Sequence, residues 1–363
     1  MRGGVFLLKQ QKVKFYSADY LKVLAIILIT NSHFDDVYPW PISFGGAPGN
    51  ALFFMISGFL LADIGSSSNI IQWYWRRIKR IYPSVWIVTL ILIWGGYYSV
   101  NGAGSVFSYF IYPTAFWYIA AILINYILFY LVRRADINPW VAILAGVGVY
   151  SYKYIVHFDE TLFFVETLNR GVSGFVAIML GAIIKDWVTG KSDLKCNKTK
   201  TEEDLNKIQA NTEALVRKNR TLFLCVAGIA LVGFLVIKLM IQMIEVAYYV
   251  QFLTHLFSLI FAVFSMLFFY SYESKLRKMK DGVLCRFITV VSSCSLEIYM
   301  IQRWEIDLLY RISFPLNFIL IIITILSSAW VIHWVVEKLT HLIDGEINKI
   351  VSSIRNCFHD NAV

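Results

Sequence analysis

The sequence contains ten apolar stretches that are long enough, or nearly long enough, to cross a bilayer core of roughly 30 Å. Charged residues make up only 16% of the chain, which is too few to cover a water-exposed surface. We therefore expect an all-α integral membrane protein with about ten transmembrane helices. The stretches are 16–34, 50–64, 83–99, 115–132, 139–156, 171–188, 221–240, 252–271, 284–302 and 316–336.

The positions of lysine and arginine predict the orientation of these stretches. With a cytoplasmic N-terminus, 28 of the 33 basic residues fall on the inner side, in segments 1–22, 65–82, 133–138, 185–220, 272–286 and 337–363. Cytoplasmic loops carry such an excess. We therefore expect both termini in the cytoplasm and a multi-pass protein of the cell (inner) membrane. This distribution also accounts for the net charge of +9, so membrane lipid is an expected partner and nucleic acid is not.

Almost the whole chain is predicted to form one membrane domain. Residues 1–337 would form the ten-helix domain, with a cytoplasmic loop at 189–220, and residues 338–363 would form a cytoplasmic tail. The tail places its apolar residues on one helical face, as does a helix that lies on the inner membrane surface. The five cysteines have neither paired nor metal-ligand spacing, so we expect no metal site.

Lys22 and His33 are the most informative polar residues of the first stretch, because ionisable groups within spans are costly and point to function. On an ideal helix, their spacing offsets them by only roughly 20° and by roughly 16 Å along the axis. One face would then carry a cation near the cytoplasm and an imidazole, a possible base, near the outer boundary. Alternatively, Lys22 reaches the inner headgroups and His33 lies in water at the helix end.

A cluster of basic residues precedes the third stretch and contains Arg76, Arg77, Lys79 and Arg80. Arg77 and Arg80 have the i,i+3 spacing of neighbours on a helix. Two adjacent guanidinium groups suit the binding of phosphate. A role as cytoplasmic anchors would explain the cluster equally well.

A glycine-rich and proline-rich segment, residues 45–50, predicts a tight outer turn, with Asn50 as the N-cap of the second helix. The positive end of that helix dipole would lie on the same side as His33 and would favour an oxyanion there. Ser57 and Gly58 predict close helix packing.

Three further polar residues lie within predicted spans. We expect Glu297 to be buried, to face a cavity, or to be the structural partner of a buried cation. His255 and His333 are expected to be core histidines with hydrogen-bond partners rather than catalytic residues.

Four ordered motifs in the first 85 residues resemble membrane-bound acyltransferase family 3, whose members are inner-membrane enzymes that O-acylate glycans. The motifs are a basic residue separated from a histidine by ten positions (Lys22 and His33), Phe-Phe-x-x-Ser-Gly-Phe (53–59), Arg-x-x-Arg before Ile-x-Pro (77–83), and an Asp-x-Leu-basic start (19–22).

Later elements resemble the family more loosely. These elements are Phe116-Trp117-Tyr118, Arg170 at the entry of the sixth helix, and residues 295–302. In the last of these, Gln302 stands where histidine is usual and Glu297 is an addition.

The resemblance implies roles for the matching residues. His33 would be the essential catalytic residue, as a base or as a transient acyl carrier, and Lys22 would be its paired cation on the donor path. Arg77 and Arg80, with Arg76 beside them, would hold the phosphates of a cytoplasmic acyl-CoA, with acetyl-CoA as the first candidate and no metal.

Four residues are candidates for contact with a glycan acceptor on the outer side: Asp35, Asp36, Trp117 and Arg170. For the two aspartates, the alternative is a solvated loop. For Trp117, it is an ordinary place in the aromatic belt at the membrane interface.

The leading interpretation is an O-acetyltransferase-like enzyme, an acyltransferase that transfers groups other than aminoacyl groups. It would move an acetyl or similar short acyl group from cytoplasmic acyl-CoA to a hydroxyl of a cell-surface glycan or its lipid-linked precursor. The alternative is a transporter or flippase for a glycan or lipid-linked intermediate, which ten helices and a polar pathway would also suit. Arg77 and Arg80 favour the enzyme, because a translocator does not need an inner phosphate-binding cluster.

Overall fold

The computed structural model describes residues 14–40, 42–64, 69–156, 167–190, 202–244 and 249–360. Every regular element in these ranges is helical, which lets the backbone satisfy its own hydrogen bonds in lipid. The α-helices are α1 (Tyr16–Asn31), α2 (Gly46–Leu61), α3 (Ile70–Trp94), α4 (Ala103–Val106), α5 (Trp117–Arg134), α6 (Pro139–Val156), α7 (Thr167–Val188), α8 (Glu202–Lys218), α9 (Arg220–Met243), α10 (Phe252–Tyr270), α11 (Glu273–Lys278), α12 (Val283–Ser293), α13 (Ser295–Leu309) and α14 (Leu316–Asp360). A π-helix, Phe107–Ile111, follows α4.

Each of the ten predicted stretches overlaps at least one of these helices. Among the described residues, five helical segments are long and apolar enough to cross a membrane: α5, Asn169–Val188 of α7, α9, α10 and Leu316–Ile343 of α14. The helix α2 is apolar but shorter. The all-helical membrane architecture is therefore confirmed, whereas the count of ten spans and their orientation stay predictions.

The ninth predicted span, 284–302, is divided between two helices rather than formed by one. The helices α12 and α13 meet there at an angle of 70°. Serine pairs are common sites of sharp bends, and here Ser293 donates its hydroxyl to the Val290 carbonyl at 2.7 Å. Its neighbour Ser292 donates to Asp19 in the first turn of α1, at 2.8 Å. The bend lies beside the start of α1, and α13 runs on from it along α14.

The boundaries of the second and third helices also differ from the predicted ones. Gly45, with φ of 109°, precedes α2, a backbone conformation that favours glycine. Asn50 therefore lies inside α2 and is not its N-cap. The helix α3 begins much earlier than its apolar stretch, because the side chain of Asn69 accepts the N–H of Ile71 at 2.8 Å. The arginine cluster therefore lies on a helix rather than in a loop.

The predicted tail is a direct continuation of α14, which runs unbroken through residue 338. The predicted cytoplasmic loop contains α8, and Arg220 begins α9 just after α8 ends. The π-helix directly follows the last residue of α4, Val106. Residues 1–13, 191–201 and 361–363 of the predicted domain, loop and tail lie outside the described residues.

The most extensive helix contact in the bundle is between α2 and α7. It depends on two glycines, because a Cβ atom at Gly58 would overlap the carbonyl of Ile178, and one at Gly181 would overlap the carbonyl of Met55. The close packing predicted at Gly58 is confirmed. Since α2 also packs on α1 and α10, it forms the centre of the bundle.

An acidic residue far along the chain holds the N-terminus of α1. The Glu273 carboxylate accepts the N–H groups of Tyr16 at 3.0 Å and Ser17 at 2.8 Å. These two donors would otherwise lack partners at the start of the helix, and the carboxylate also suits the positive end of the helix dipole. The position of α1, and of the residues at its other end, is thereby fixed to α11.

Candidate active site

A cavity of about 500 Å³ lies at one end of the helix bundle. It is lined by the C-terminal ends of α1 and α9, by the residues after α3, and by the first turns of α2, α5, α7 and α10. One face of α13 completes the wall. The ends that meet here alternate in direction, as expected for antiparallel helices.

His33 lines this cavity and lies two residues beyond the end of α1. The helix stops there because Ser32 donates its hydroxyl to the Ile29 carbonyl at 2.7 Å, and Asn31 donates to the Phe44 carbonyl at 2.9 Å. The ideal-helix geometry that places Lys22 and His33 on one face therefore does not extend to His33. Lys22 lies within α1, nine residues before its end, and His33 lies just beyond that end.

Arg303 on α13 is the charged neighbour of His33. Its Nη1 atom lies 3.4 Å from His33 Nδ1. Because a guanidinium has donors only, Nδ1 accepts this hydrogen bond. The distance is long for a hydrogen bond, so the imidazole is held only weakly and remains available to a substrate. Arg303 is not among the residues predicted from the sequence, because nothing local to either residue indicates that they meet.

A hydrogen-bonded aspartate holds the other side of Arg303. Arg303 Nε lies 3.9 Å from Asp307, one turn further along α13. The same carboxylate accepts the Tyr97 hydroxyl at 2.9 Å, and Tyr97 also lines the cavity. The Arg303 side chain is 61% exposed, so it can move between its present position and a bound substrate.

Two of the four acceptor-side candidates line the same cavity as His33. The guanidinium of Arg170 lies over the Trp117 ring, 5.2 Å from its centroid. Asp35 and Asp36 are exposed and do not line the cavity. Asp35 instead accepts the hydroxyl of Ser43, which belongs to the connection between α1 and α2.

The N-terminus of α2 opens into this cavity, on the same side as His33. Gly46 and Ala47 line the wall, and a Cβ atom at Gly46 would lie only 2.8 Å from Ser32 Oγ. The positive end of the α2 dipole is therefore beside the imidazole. The predicted side is confirmed, although the N-cap is Gly45, five residues before the predicted Asn50.

Gln302 fixes α13 to α1 next to His33. Its side chain is buried, accepts the Thr30 hydroxyl at 2.6 Å and donates to the Tyr299 carbonyl at 3.2 Å. Both ends of the amide are thus held. Gln302 positions the adjacent Arg303, and it also lines the cavity.

The predicted donor-side cations lie toward the other end of the same helices. Lys22 lies nine residues before the end of α1, which is about 14 Å along the helix axis. Arg80 lies fourteen residues before the end of α3, which is about 21 Å along that axis. Lys22 lies 3.9 Å from Asp19 and interacts electrostatically with Arg80. The structure therefore brings within electrostatic range of each other two cations that the sequence placed in separate motifs.

The three arginines of the cluster differ in their surroundings. Arg77 is half-buried, with its guanidinium 4.3 Å from the centroid of the Trp73 ring, and it donates to the Trp73 carbonyl at 3.4 Å. Arg76 and Arg80 are exposed. One guanidinium is thus held in place by stacking, and two are free to reach a ligand.

The other polar residues singled out in the sequence have partners. Glu297 is buried, accepts the Ser84 hydroxyl at 2.7 Å and lies 3.3 Å from His333 Nδ1. It joins α3, α13 and α14, as a structural partner would. His255 Nδ1 lies 2.8 Å from the Tyr150 hydroxyl, and the histidine also lines the cavity.

Comparison with protein-family models gives a match over residues 15–336, to an acyltransferase domain. The matched range includes the arginine cluster and every helix that lines the cavity. No curated protein and no solved structure matches the chain. Because the model spans nearly the whole chain, this protein belongs to acyltransferase family 3, a family of membrane acyltransferases.

Proposed function

We propose that this protein transfers an acetyl, or a similarly short acyl, group from cytoplasmic acyl-CoA to a hydroxyl of a cell-surface glycan or its lipid-linked precursor. The observation that carries the proposal is the arrangement around α1. His33 and Arg303 share a cavity at one end of the helix, and Lys22 and Arg80 interact toward the other. A polyanionic donor needs cations, and a hydroxyl acceptor needs a base, so the two substrates suit the two ends.

The proposal includes ten membrane crossings in the inner membrane, with both termini in the cytoplasm. The bias of basic residues toward one set of segments supports this orientation. The alternating helix ends around the cavity agree with it. The Lys22 end of α1 then faces the cytoplasm, and the His33 cavity faces outward.

On the donor side, Arg77 and Arg80 would bind the phosphates of acyl-CoA, with Arg76 beside them. Stacking on Trp73 holds the Arg77 fork in one orientation, which favours bidentate binding to phosphate. The exposed Arg80 lies close enough to Lys22 for their charges to interact. A bound polyanion would relieve the repulsion between these two cations.

In the reaction, His33 Nδ1 would remove the proton from the acceptor hydroxyl as its oxygen attacks the thioester carbonyl carbon. Negative charge develops on the carbonyl oxygen, where Arg303 and the N-terminus of α2 would stabilise it. The carbon–sulfur bond then breaks, and the CoA thiolate takes the proton from the imidazolium. The acceptor leaves as an ester, and CoA leaves as a thiol.

On the acceptor side, Trp117 would stack on a sugar ring, and Arg170 would donate hydrogen bonds to it. Both lie in the His33 cavity, which supports this role. Asp35 and Asp36 are exposed beyond the cavity. They would contact only parts of the glycan that extend outside it.

The proposal can be tested with membrane vesicles of the two orientations, made from cells that express the protein. Radiolabelled acetyl-CoA added to inside-out vesicles should produce an alkali-labile acetyl ester on glycan. Right-side-out vesicles, and inside-out vesicles with His33→Ala, should not. Equal labelling in both orientations would contradict a cytoplasmic donor site. Glycan crossing the membrane with no ester formed would instead support the translocator.

A further inference from the structure

We infer that the acceptor is an acidic saccharide, one whose sugar ring carries a carboxylate, and that Lys238 and Arg170 bind this carboxylate in the His33 cavity. The inference rests on the proposed function and adds to it the chemical class of the acceptor. It also adds Lys238 and Asn50 to the residues that contact the acceptor.

The wall of the His33 cavity carries an excess of positive charge. Arg170, Lys238 and Arg303 line it, and none of the described residues in that wall is Asp or Glu. Arg303 has Asp307 beside it, at 3.9 Å. Among the described residues, neither Arg170 nor Lys238 forms an ion pair. Two uncompensated cations in a helix bundle are costly, so we expect a negatively charged ligand beside them.

Lys238 is placed where a lysine has a cost. It lies five residues before the end of α9, between Ile237 and Leu239, in the most apolar of the five candidate spans. Its ammonium group donates to the Ser43 carbonyl at 2.8 Å. That carbonyl accepts from one of three donors and cancels none of the charge. An ionisable residue in such a helix points to function, and here it faces the cavity.

Arg170 reaches the cavity from the first turn of α7. Its guanidinium lies over the Trp117 ring, 5.2 Å from the centroid, and its charge acts electrostatically on His255 of α10. Stacking uses the face of a guanidinium and leaves the N–H donors at its edge. Among the described residues, none accepts a hydrogen bond from these donors. A carboxylate would match them with two parallel hydrogen bonds.

Asn50 gives an independent indication of a polar ligand. It lies near the start of α2 and lines the cavity, and its Oδ1 atom is buried with no hydrogen-bond partner among the described residues. A buried acceptor without a partner is costly and rare. A sugar hydroxyl would donate to it. A saccharide that bears a carboxylate therefore supplies both the hydroxyl for Asn50 and the negative charge for Lys238.

The acyl donor does not account for these cations. The acyl end of acetyl-CoA is uncharged, and the arginine cluster proposed to bind its phosphates lies toward the other end of the same helices. The cavity volume of about 500 Å³ lies within the range of small-molecule sites, about 300–1,000 Å³. The positive charge of the wall is therefore assigned to the acceptor.

Binding of matched sugars to the full-length protein, in phosphatidylcholine nanodiscs and without acyl donor, tests the inference. Methyl glucuronide and methyl galacturonide would each be compared with the neutral methyl glucoside or methyl galactoside by saturation-transfer NMR. We expect a uronide to bind at least about tenfold more tightly than its neutral counterpart, and the difference to shrink at high salt. Equal binding of the neutral sugars, or no binding of either uronide at about 10 mM, would refute the inference.

Two lysine variants locate the carboxylate. Lys238→Gln should weaken uronide binding by about tenfold and leave the neutral sugar unchanged, because only the uronide interacts with the ammonium charge. Lys153→Gln removes the same charge at a lysine that does not line the cavity, and it should change neither. Equal effects of the two variants on uronide binding would overturn the assigned location.

Two variants of Asn50 separate charge from hydrogen bonding. Asn50→Asp keeps an acceptor oxygen and adds a negative charge, so it should weaken binding of the uronide and not of the neutral sugar. Asn50→Leu removes the acceptor and should weaken binding of both. Uronide binding that is unaffected by Asn50→Asp would contradict a carboxylate in this cavity. Size-exclusion chromatography would match the folded protein among all variants.

Two competitors test other sources of negative charge. If succinyl-CoA displaced the uronide and acetyl-CoA did not, the cations would bind a carboxylate on the acyl group, and the inference would be wrong. If phosphatidylglycerol in the nanodiscs displaced the uronide, the cavity would take ordinary anionic lipid, with the same consequence. We expect neither acetyl-CoA, succinyl-CoA nor phosphatidylglycerol to displace it.

An error in the acceptor class can be distinguished from an error in the proposed function. His33→Ala should bind the uronide as the wild type does, since binding precedes proton transfer. Charge-dependent uronide binding without acyl transfer in the vesicle assay would refute the proposed function and leave the acidic ligand in place. Acyl transfer to a neutral glycan, unchanged by Lys238→Gln, would support the proposed function and refute the acceptor class.

Discussion

The guanidinium of Arg303 lies 3.4 Å from Nδ1 of His33, although 270 positions separate the two residues. Two features of the fold produce this pair. The helix α1 ends just before His33, and the hydrogen bond between Thr30 and Gln302 fixes α13 beside it. The pair places a permanent cation next to a possible base, and the positive end of the α2 helix dipole lies on the same side.

Arg303 should contribute mainly to the transition state. We expect Arg303→Gln to lower kcat for acyl transfer by about 10² to 10³, because it removes a donor aimed at the developing oxyanion. KM for acetyl-CoA should change little, and Arg303→Lys should restore part of the rate. Steady-state kinetics of the purified protein provide the measurement, with Arg311→Gln as a control for loss of an exposed cation. A pure KM effect would show that Arg303 binds substrate only.

Arg80 should affect donor binding and not the chemical step. We expect Arg80→Gln to raise KM for acetyl-CoA by about tenfold with kcat nearly unchanged, through loss of a charge-assisted contact to phosphate. Arg134→Gln, at an exposed cation at the C-terminal end of α5, is the matched control. If both variants behaved as the wild type, the basic cluster would have only a topological role.

Gly58 should be indispensable for folding. Gly58→Ala places a methyl group onto the Ile178 carbonyl in the most extensive helix contact of the bundle, and the backbone there cannot move away without separating α2 from α7. We expect little folded protein by size-exclusion chromatography in detergent. Gly228→Ala on α9, where nothing lies within 4 Å of the new atom, should fold normally. Normal yields of both variants would refute the close contact.

The Arg133–Asp186 ion pair should stabilise the contact between α5 and α7. Both side chains are nearly buried, at 11% and 12% exposure, and two hydrogen bonds of 2.6 and 3.1 Å join them. We expect Arg133→Met to lower the free energy of unfolding by about 3 kcal/mol, since it leaves a buried carboxylate without its partner. Combining it with Asp186→Leu should recover most of the loss in a denaturant titration. A double variant less stable than the single one would contradict this role of the pair.

The sequence predicted the helical membrane architecture well because apolar length and charge position are local properties. It located Trp117 and Arg170 through family resemblance, and the structure places both beside His33. It also predicted that the start of α2 would lie on the side of His33, which the cavity lining confirms.

The features that the sequence did not reveal depend on contacts between distant residues. The bend between α12 and α13 lies within a continuous apolar stretch, so hydropathy gives no sign of it. Arg303 reaches His33, and Glu273 reaches the start of α1, only because separate helices pack together. The early start of α3 depends on a cap by Asn69, and the basic cluster that follows keeps this part of the helix out of the apolar stretch.

Mass spectrometry of surface glycans tests the central claim, that His33 performs acyl transfer in the cavity beyond the end of α1. Cells lacking the gene would be complemented with the wild type or with His33→Ala, and folded protein would be matched by size-exclusion chromatography. The account predicts one fixed ester mass on the glycan with the wild type and its absence with His33→Ala. The same ester mass at the same level with His33→Ala would contradict it.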